Sequence, residues 1–128
     1  MLDFILINGQ YPDFESGEMK KANVGVSDGK ISYIGDEVPE SRKTVDISGC
    51  VISPGFIDIH MHEENFKDEG EHYVIAQMML EMGVTTAVGG NCGIQKQDLS
   101  YFKEVLKRLG GSPVNYIMLA GYNQMRYK

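Results

Sequence analysis

The chain is short of the features that most simple functional assignments need. Its 128 residues hold only two cysteines, Cys50 and Cys92, far apart and outside any C-x-x-C pair, which excludes a disulfide framework and a zinc finger. Basic charge is scarce too. Twelve lysines and arginines stand against 18 aspartates and glutamates, for a net charge of -6, and they are scattered, so no phosphate-binding surface and no nucleic-acid partner is expected. No apolar run is long enough to cross a membrane, and the opening Met-Leu-Asp-Phe-Ile-Leu-Ile-Asn-Gly lacks the basic flank of a signal peptide. A cytoplasmic protein with no membrane partner is the expectation.

What is present concentrates in Ser53-Pro54-Gly55-Phe56-Ile57-Asp58-Ile59-His60-Met61-His62. Pro54 and Gly55 stop the preceding element, and Phe56, Ile57, Ile59 and Met61 read as a buried strand of a parallel sheet. Because strand side chains alternate faces, His60 and His62 would share one wall while Met61 faces the other. Two imidazoles held in fixed directions suit a divalent, zinc-like metal, although an H-x-H pair taken alone is more often incidental.

Before this stretch the pattern is that of a small antiparallel sheet. Residues 2–7 form a strand closed by Asn8-Gly9, residues 11–18 make a polar excursion, and a second strand covers Ala22 to Val26. Asp28-Gly29 is a tight hairpin turn into Lys30 to Ile34, Gly35 to Arg42 is a loop, and two short strands follow at Thr44 to Ile47 and Cys50 to Ile52. Between its apolar neighbours Cys50 reads as a small buried hydrophobe.

After Gly55 the texture becomes strand, helix, strand, helix, strand, the mark of an α/β parallel sheet wrapped by helices. Glu71 to Met82 predicts a largely buried helix ended by Gly83, with His72 inside it and its methionines filling core. Val84 to Val88 is a second parallel strand, leading into Gly89-Gly90-Asn91-Cys92-Gly93. Asp98 caps a helix carrying Phe102, Val105, Leu106 and Leu109, Gly110-Gly111 ends it, and Val114 to Leu119 is a third strand. The length suits one ordinary domain.

Functional groups of parallel α/β folds gather where strands end and βα loops begin. His60 and His62 close the first parallel strand and Cys92 lies just past the second, so all three fall on one rim. Adjacent strands are under about 5 Å apart, which lets a thiolate and two imidazoles share a metal or bind neighbouring ones. Glu63, Glu64 and Asp68 follow as loop carboxylates or as supports behind the metal ligands, with solvated charge the default.

At these residues the chain resembles a known family. Pro54 to His62 is similar to the first barrel strand of the amidohydrolase superfamily, a motif common to dihydroorotases, hydantoinases and deaminases, and the preceding sheet resembles that family's accessory β-sandwich. Gly83-Val84-Thr85-Thr86 followed by Gly90-Asn91-Cys92-Gly93 resembles the D-aminoacylase branch, the N-acyl-D-amino-acid deacylases. The resemblance implies residues 1–53 as a β-sandwich portion and 54–128 as the first (β/α) units of an incomplete (β/α)8 TIM barrel, a fold that takes about 250 residues.

It also implies a zinc-dependent hydrolase, with one or two metal ions, that cleaves the amide of N-acyl-D-amino acids as small-molecule substrates. His60, His62 and Cys92 are carried over as metal ligands, and bound zinc lowers the pKa of a water to about 7. The family's catalytic aspartate and remaining histidines come from later strands, so no catalytic residue is assigned here. Gly121-Tyr122 and Arg126 replace the family's Gly-His and arginine and receive no ligand role. The chain is therefore expected to be the N-terminal portion of such an enzyme, inactive alone and self-associating through its uncovered sheet edge. The alternatives are another amidohydrolase (dihydroorotase, hydantoinase or dipeptidase type) and a non-catalytic, metal-free module.

Overall fold

The computed structural model describes residues 1–126, and its contacts divide the chain into two units, Met1–Pro54 and Gly55–Lys128, each built on its own sheet. The division falls at the Pro54-Gly55 step, where the side-chain pattern changes.

The first unit has four strands, β1 (Phe4–Asp13), β2 (Glu18–Ser27), β3 (Lys30–Gly35) and β4 (Thr44–Asp46), in the order β3-β2-β1-β4. Three of its features differ from the sequence reading. Asn8-Gly9 does not close β1; it makes a bulge between Leu6 and Gly9, with Asn8 at φ 65°, and the strand runs on to pair Asp13 with Glu18. The buried Asn23 explains this choice. Its Oδ1 accepts from Asn8 N at 3.1 Å, while its Nδ2 donates to the carbonyls of Asp36 and Glu37, so one side chain pins the bulge and the following loop together. The second difference is that β4 pairs parallel to β1, which makes the sheet mixed rather than antiparallel. The third is Cys50, which is exposed: the last predicted strand is reduced to an isolated bridge between Gln10 and Val51. The hairpin at Asp28-Gly29 forms as expected, with both residues at positive φ, 51° and 71°, between Ser27 and Lys30.

The second unit carries a three-stranded parallel sheet, β5 (Phe56–Asp58), β6 (Val84–Gly89) and β7 (Asn115–Met118), in that order. Helices α1 (Phe66–Glu69) and α2 (Ile75–Glu81) connect β5 to β6, α3 (Leu99–Arg108) connects β6 to β7, and α4 (Tyr122–Arg126) follows. This mixed α/β unit has the alternation that the sequence predicts. Its core has two clusters. Met61, Ala76, Met79, Ala87 and Val114 form one, and Phe66, Phe102 and Val105 the other, with the Phe66 and Phe102 rings stacked at 5.4 Å. Asp98 caps α3 by accepting from Ser100 N at 2.8 Å.

Here too the structure corrects the sequence reading. Phe56, Ile57 and Ile59 are exposed, at 59%, 63% and 74%, because β5 is an edge strand; only Met61 turns inward. The long buried helix is shorter and one-sided: α2 begins at Ile75 and buries Ala76 and Met79, while Met78, Leu80 and Met82 face outward. His72 lies in the exposed turn ahead of it, outside any helix. Among the described residues no helix is long and apolar enough to cross a membrane.

One titration follows from the first hairpin. The Asp13 carboxylate pairs with Lys20 and accepts from Ser16 Oγ at 2.7 Å and Glu15 N at 3.2 Å, and these bonds, Lys20's first, hold its pKa at about 2 against an ordinary 3.8. A carboxyl depressed on folding adds stability that is complete above its unfolded pKa and is lost as pH falls through the folded one. Lys20 is exposed and Asp13 only partly buried, so the contribution is small. An NMR titration should place the Asp13 midpoint near about 2, and Asp13→Asn should flatten the loss of stability between pH 3.8 and about 2.

Candidate metal centre

The sheet ladder of β5 stops at Asp58, so His60 and His62 lie on irregular backbone beyond the strand. They nevertheless come together, in an edge-to-face arrangement with ring centroids 6.2 Å apart. Two local bonds hold this stretch: His60 N donates to Asp58 Oδ1 at 2.9 Å, and Met61 N donates to Val88 O at 3.2 Å, across to β6.

Cys92 arrives from the other side. Past β6 the chain turns through Gly90 at φ 75° into a single 3₁₀ turn, Asn91–Gly93, in which Cys92 itself sits at φ 59°. Glycine is required at position 90 on two counts, since a Cβ there would also lie 2.4 Å from the Leu119 carbonyl oxygen. The left-handed conformation of Cys92 costs on the order of 1 kcal/mol for a residue with a Cβ, and it aims the thiol at the histidines. Sγ lies 3.5 Å from His60 Nε2, and one ligand atom from each of His60, His62 and Cys92 falls within 4.8 Å of the others, all three side chains being exposed. Two ligands of one zinc, at about 2.3 Å for sulfur and about 2.1 Å for nitrogen under a tetrahedral angle, stand roughly 3.6 Å apart. The Cys92–His60 pair matches that spacing, and the set of three fits the ion in chemistry, since imidazole and thiolate are ligands that zinc prefers to oxygen.

The G-N-C-G segment is fastened by residues to which the sequence reading gave no role. Asn91 Nδ2 donates to Met61 O at 3.2 Å and Asn123 Nδ2 to Cys92 O at 2.9 Å, tying the thiol's turn to the histidine loop and to α4. Glu63 and Glu64 are not solvated loop charge. They are 1% and 3% exposed, and their carboxylates accept from four backbone amides. Glu64 Oε1 accepts from Val74 N and Ala76 N, at 3.1 and 2.9 Å, and so serves the start of α2. Near it the Tyr116 phenol is pushed upward in pKa, by burial first and then by the Glu64 carboxylate. Asp68 is exposed and accepts from Asn65 Nδ2, away from the three donors. The adjacency of Glu63 and Glu64 to the histidine pair was the available signal, but burial is not visible in two consecutive glutamates.

No family model matches the chain. The neighbours among curated proteins and solved structures are members of the amidohydrolase superfamily, matched over their N-terminal part. Within it they include the D-aminoacylases and N-acyl-D-amino-acid deacylases, the branch that the G-V-T-T and G-N-C-G segments resemble. A D-aminoacylase of Alcaligenes xylosoxydans xylosoxydans is 36% identical over 100 residues, covering 77% of this chain and 20% of that protein. An adenine deaminase of Listeria monocytogenes serotype 4b (strain F2365) is 35% identical over 86 residues, covering 67% and 14%. The chain thus spans about a fifth of the length of the curated D-aminoacylase. Among solved structures, a D-aminoacylase described by its binuclear metal centre superposes with a TM-score of 0.77 at 29% identity, over 98% of this chain and 31% of that one. An N-acyl-D-glutamate deacylase from Bordetella bronchiseptica, complexed with zinc and a phosphonate inhibitor, gives 0.77 at 26% identity over 98% and 30%.

The backbone of Cys92 makes its own prediction. Both Cys92→Gly and Cys92→Ala remove the thiol, but only glycine is at ease at φ 59°. In metal-free buffer the glycine variant should be more stable than the alanine variant by roughly 1 kcal/mol, read as a higher melting midpoint. Equal midpoints would show that the turn is not strained.

Proposed function

We propose that this chain is the metal-binding portion of a zinc-dependent amidohydrolase that hydrolyses the amide bond of N-acyl-D-amino acids. The observation that carries the reading is the convergence of His60, His62 and Cys92 at the ends of two adjacent parallel strands, with the thiol on a G-N-C-G turn. The three side chains would hold one zinc ion, or two neighbouring ones, and Asp58, Asn91 and Asn123 would keep the ligand-bearing backbone in place. When bound, zinc supplies Lewis acidity, which makes a water nucleophilic near neutral pH and polarises the amide carbonyl. Exposure of all three donors leaves room for an acyl-amino acid to approach.

In this reading β5, β6 and β7 are the first strands of a (β/α)8 barrel and the first unit is part of a β-sandwich. The general acid and base is not assigned to any residue of this chain, which by itself should have little or no activity. The compartment proposed is the cytoplasm.

Two measurements test the proposal. The chain should bind Zn2+ or Co2+ tightly, the cobalt form showing a thiolate-to-metal absorption band that Cys92→Ala abolishes. Protein from the complete reading frame that contains this chain should release D-amino acids from their N-acyl derivatives and should not open cyclic amides. Hydrolysis of cyclic amides alone would point to a hydantoinase or dihydroorotase type. Absence of bound metal would leave the metal-free module.

Self-association is proposed on the same footing. Ile57 and Ile59 at the β5 edge and Ile117 and Leu119 in and beyond β7 are exposed apolar residues at the margins of an open parallel sheet. Sedimentation should show concentration-dependent oligomers that Ile57→Lys diminishes, and a monodisperse monomer would contradict this.

A further inference from the structure

We infer that Glu63 is a positioning residue that clamps the Cys92 turn to the histidine loop; the inference rests on the metal reading above. Glu63 follows His62 directly, and its carboxylate, 1% exposed, reaches across to the segment after β6. Oε2 accepts from Gly90 N at 3.0 Å and Oε1 from Lys96 N at 2.8 Å. These two amides lie on either side of Cys92, two residues before it and four after. One side chain therefore fastens both ends of the stretch that carries the thiol, and its own backbone is continuous with an imidazole ligand.

The chemistry of the clamp calls for a carboxylate. Two donors must be met by two acceptor oxygens on a planar group, and a glutamine would turn its NH2 against one of the N–H groups. Gly89 makes room for the carboxylate, since a Cβ there would lie 3.1 Å from Oε2. The neighbouring Glu64 supplies the contrast. It is equally buried and equally bonded to backbone amides, but its carboxylate serves Val74 and Ala76 at the start of α2 and does not touch the Cys92 segment. A merely structural buried carboxylate should behave like Glu64.

The test compares Glu63→Gln with Glu64→Gln in the full chain, titrated with Co2+. The wild type should show the thiolate-to-cobalt band. In E63Q that band should weaken or shift and Co2+ affinity should fall about 10- to 100-fold, the usual cost of losing a partner behind a metal ligand. Metal-free E63Q should also lose amide-exchange protection at Gly90 or Lys96. E64Q should keep the band and the affinity while its melting temperature falls. If E63Q does not fold, Glu63→Asp replaces it, since drawing both oxygens back by one methylene should bring the same losses. Wild-type affinity and band in the Glu63 variant would overturn the clamp and leave the metal reading intact, as would equal losses in E63Q and E64Q. A wild-type chain with no band would overturn the metal reading, and the clamp with it.

Discussion

Once β5 leaves its ladder at Asp58, no strand pairing places the histidines, and their position depends on hydrogen bonds thrown across to the exit of β6. Met61 N to Val88 O, Asn91 Nδ2 to Met61 O, and Gly90 N and Lys96 N to the Glu63 carboxylate all span this gap. Each joins a residue beside a histidine to one near Cys92. A donor set assembled from two loops needs this kind of fastening, because loops have no ladder of their own to resist the pull of an ion.

The cost of the arrangement is local and visible. Cys92 occupies a left-handed backbone conformation that glycine would adopt more easily, two carboxylates are taken out of water, and three polar donors are left at the surface. Strain and burial of this kind persist where the surrounding contacts over-determine them, and they cluster at functional sites. The two buried glutamates share the work: Glu64 serves the helix start, while Glu63 reaches the thiol's turn. Met61, buried between the two exposed histidines, anchors the loop to the core from below.

Much of this was legible in the chain, and for identifiable reasons. Periodicity switches from alternating to helical at Pro54-Gly55, so the strand-helix alternation of the second unit could be read directly. Asp28-Gly29 and Asp98 act through their own backbone and side chain, and both appear where expected. That His60, His62 and Cys92 lie past the same ends of adjacent strands follows from strand direction, while hydrogen bonds off the ladder bring the side chains together. Asn8-Gly9 was misread because the same dipeptide serves a turn or a bulge, and the choice lay with Asn23, fifteen residues away.

What the sequence by itself determined, then, is whatever depends on neighbours along the chain: turn chemistry, caps, helical stripes and the spacing of the H-x-H pair. Only the tertiary structure decided the parallel pairing of β4, the edge position that exposes Phe56 and Ile57, the exposure of Cys50 and the burial of Glu63 and Glu64. Each of these turns on which surface a distant segment covers, and two adjacent glutamates carry no mark of the amides that will reach them from the far side of a sheet.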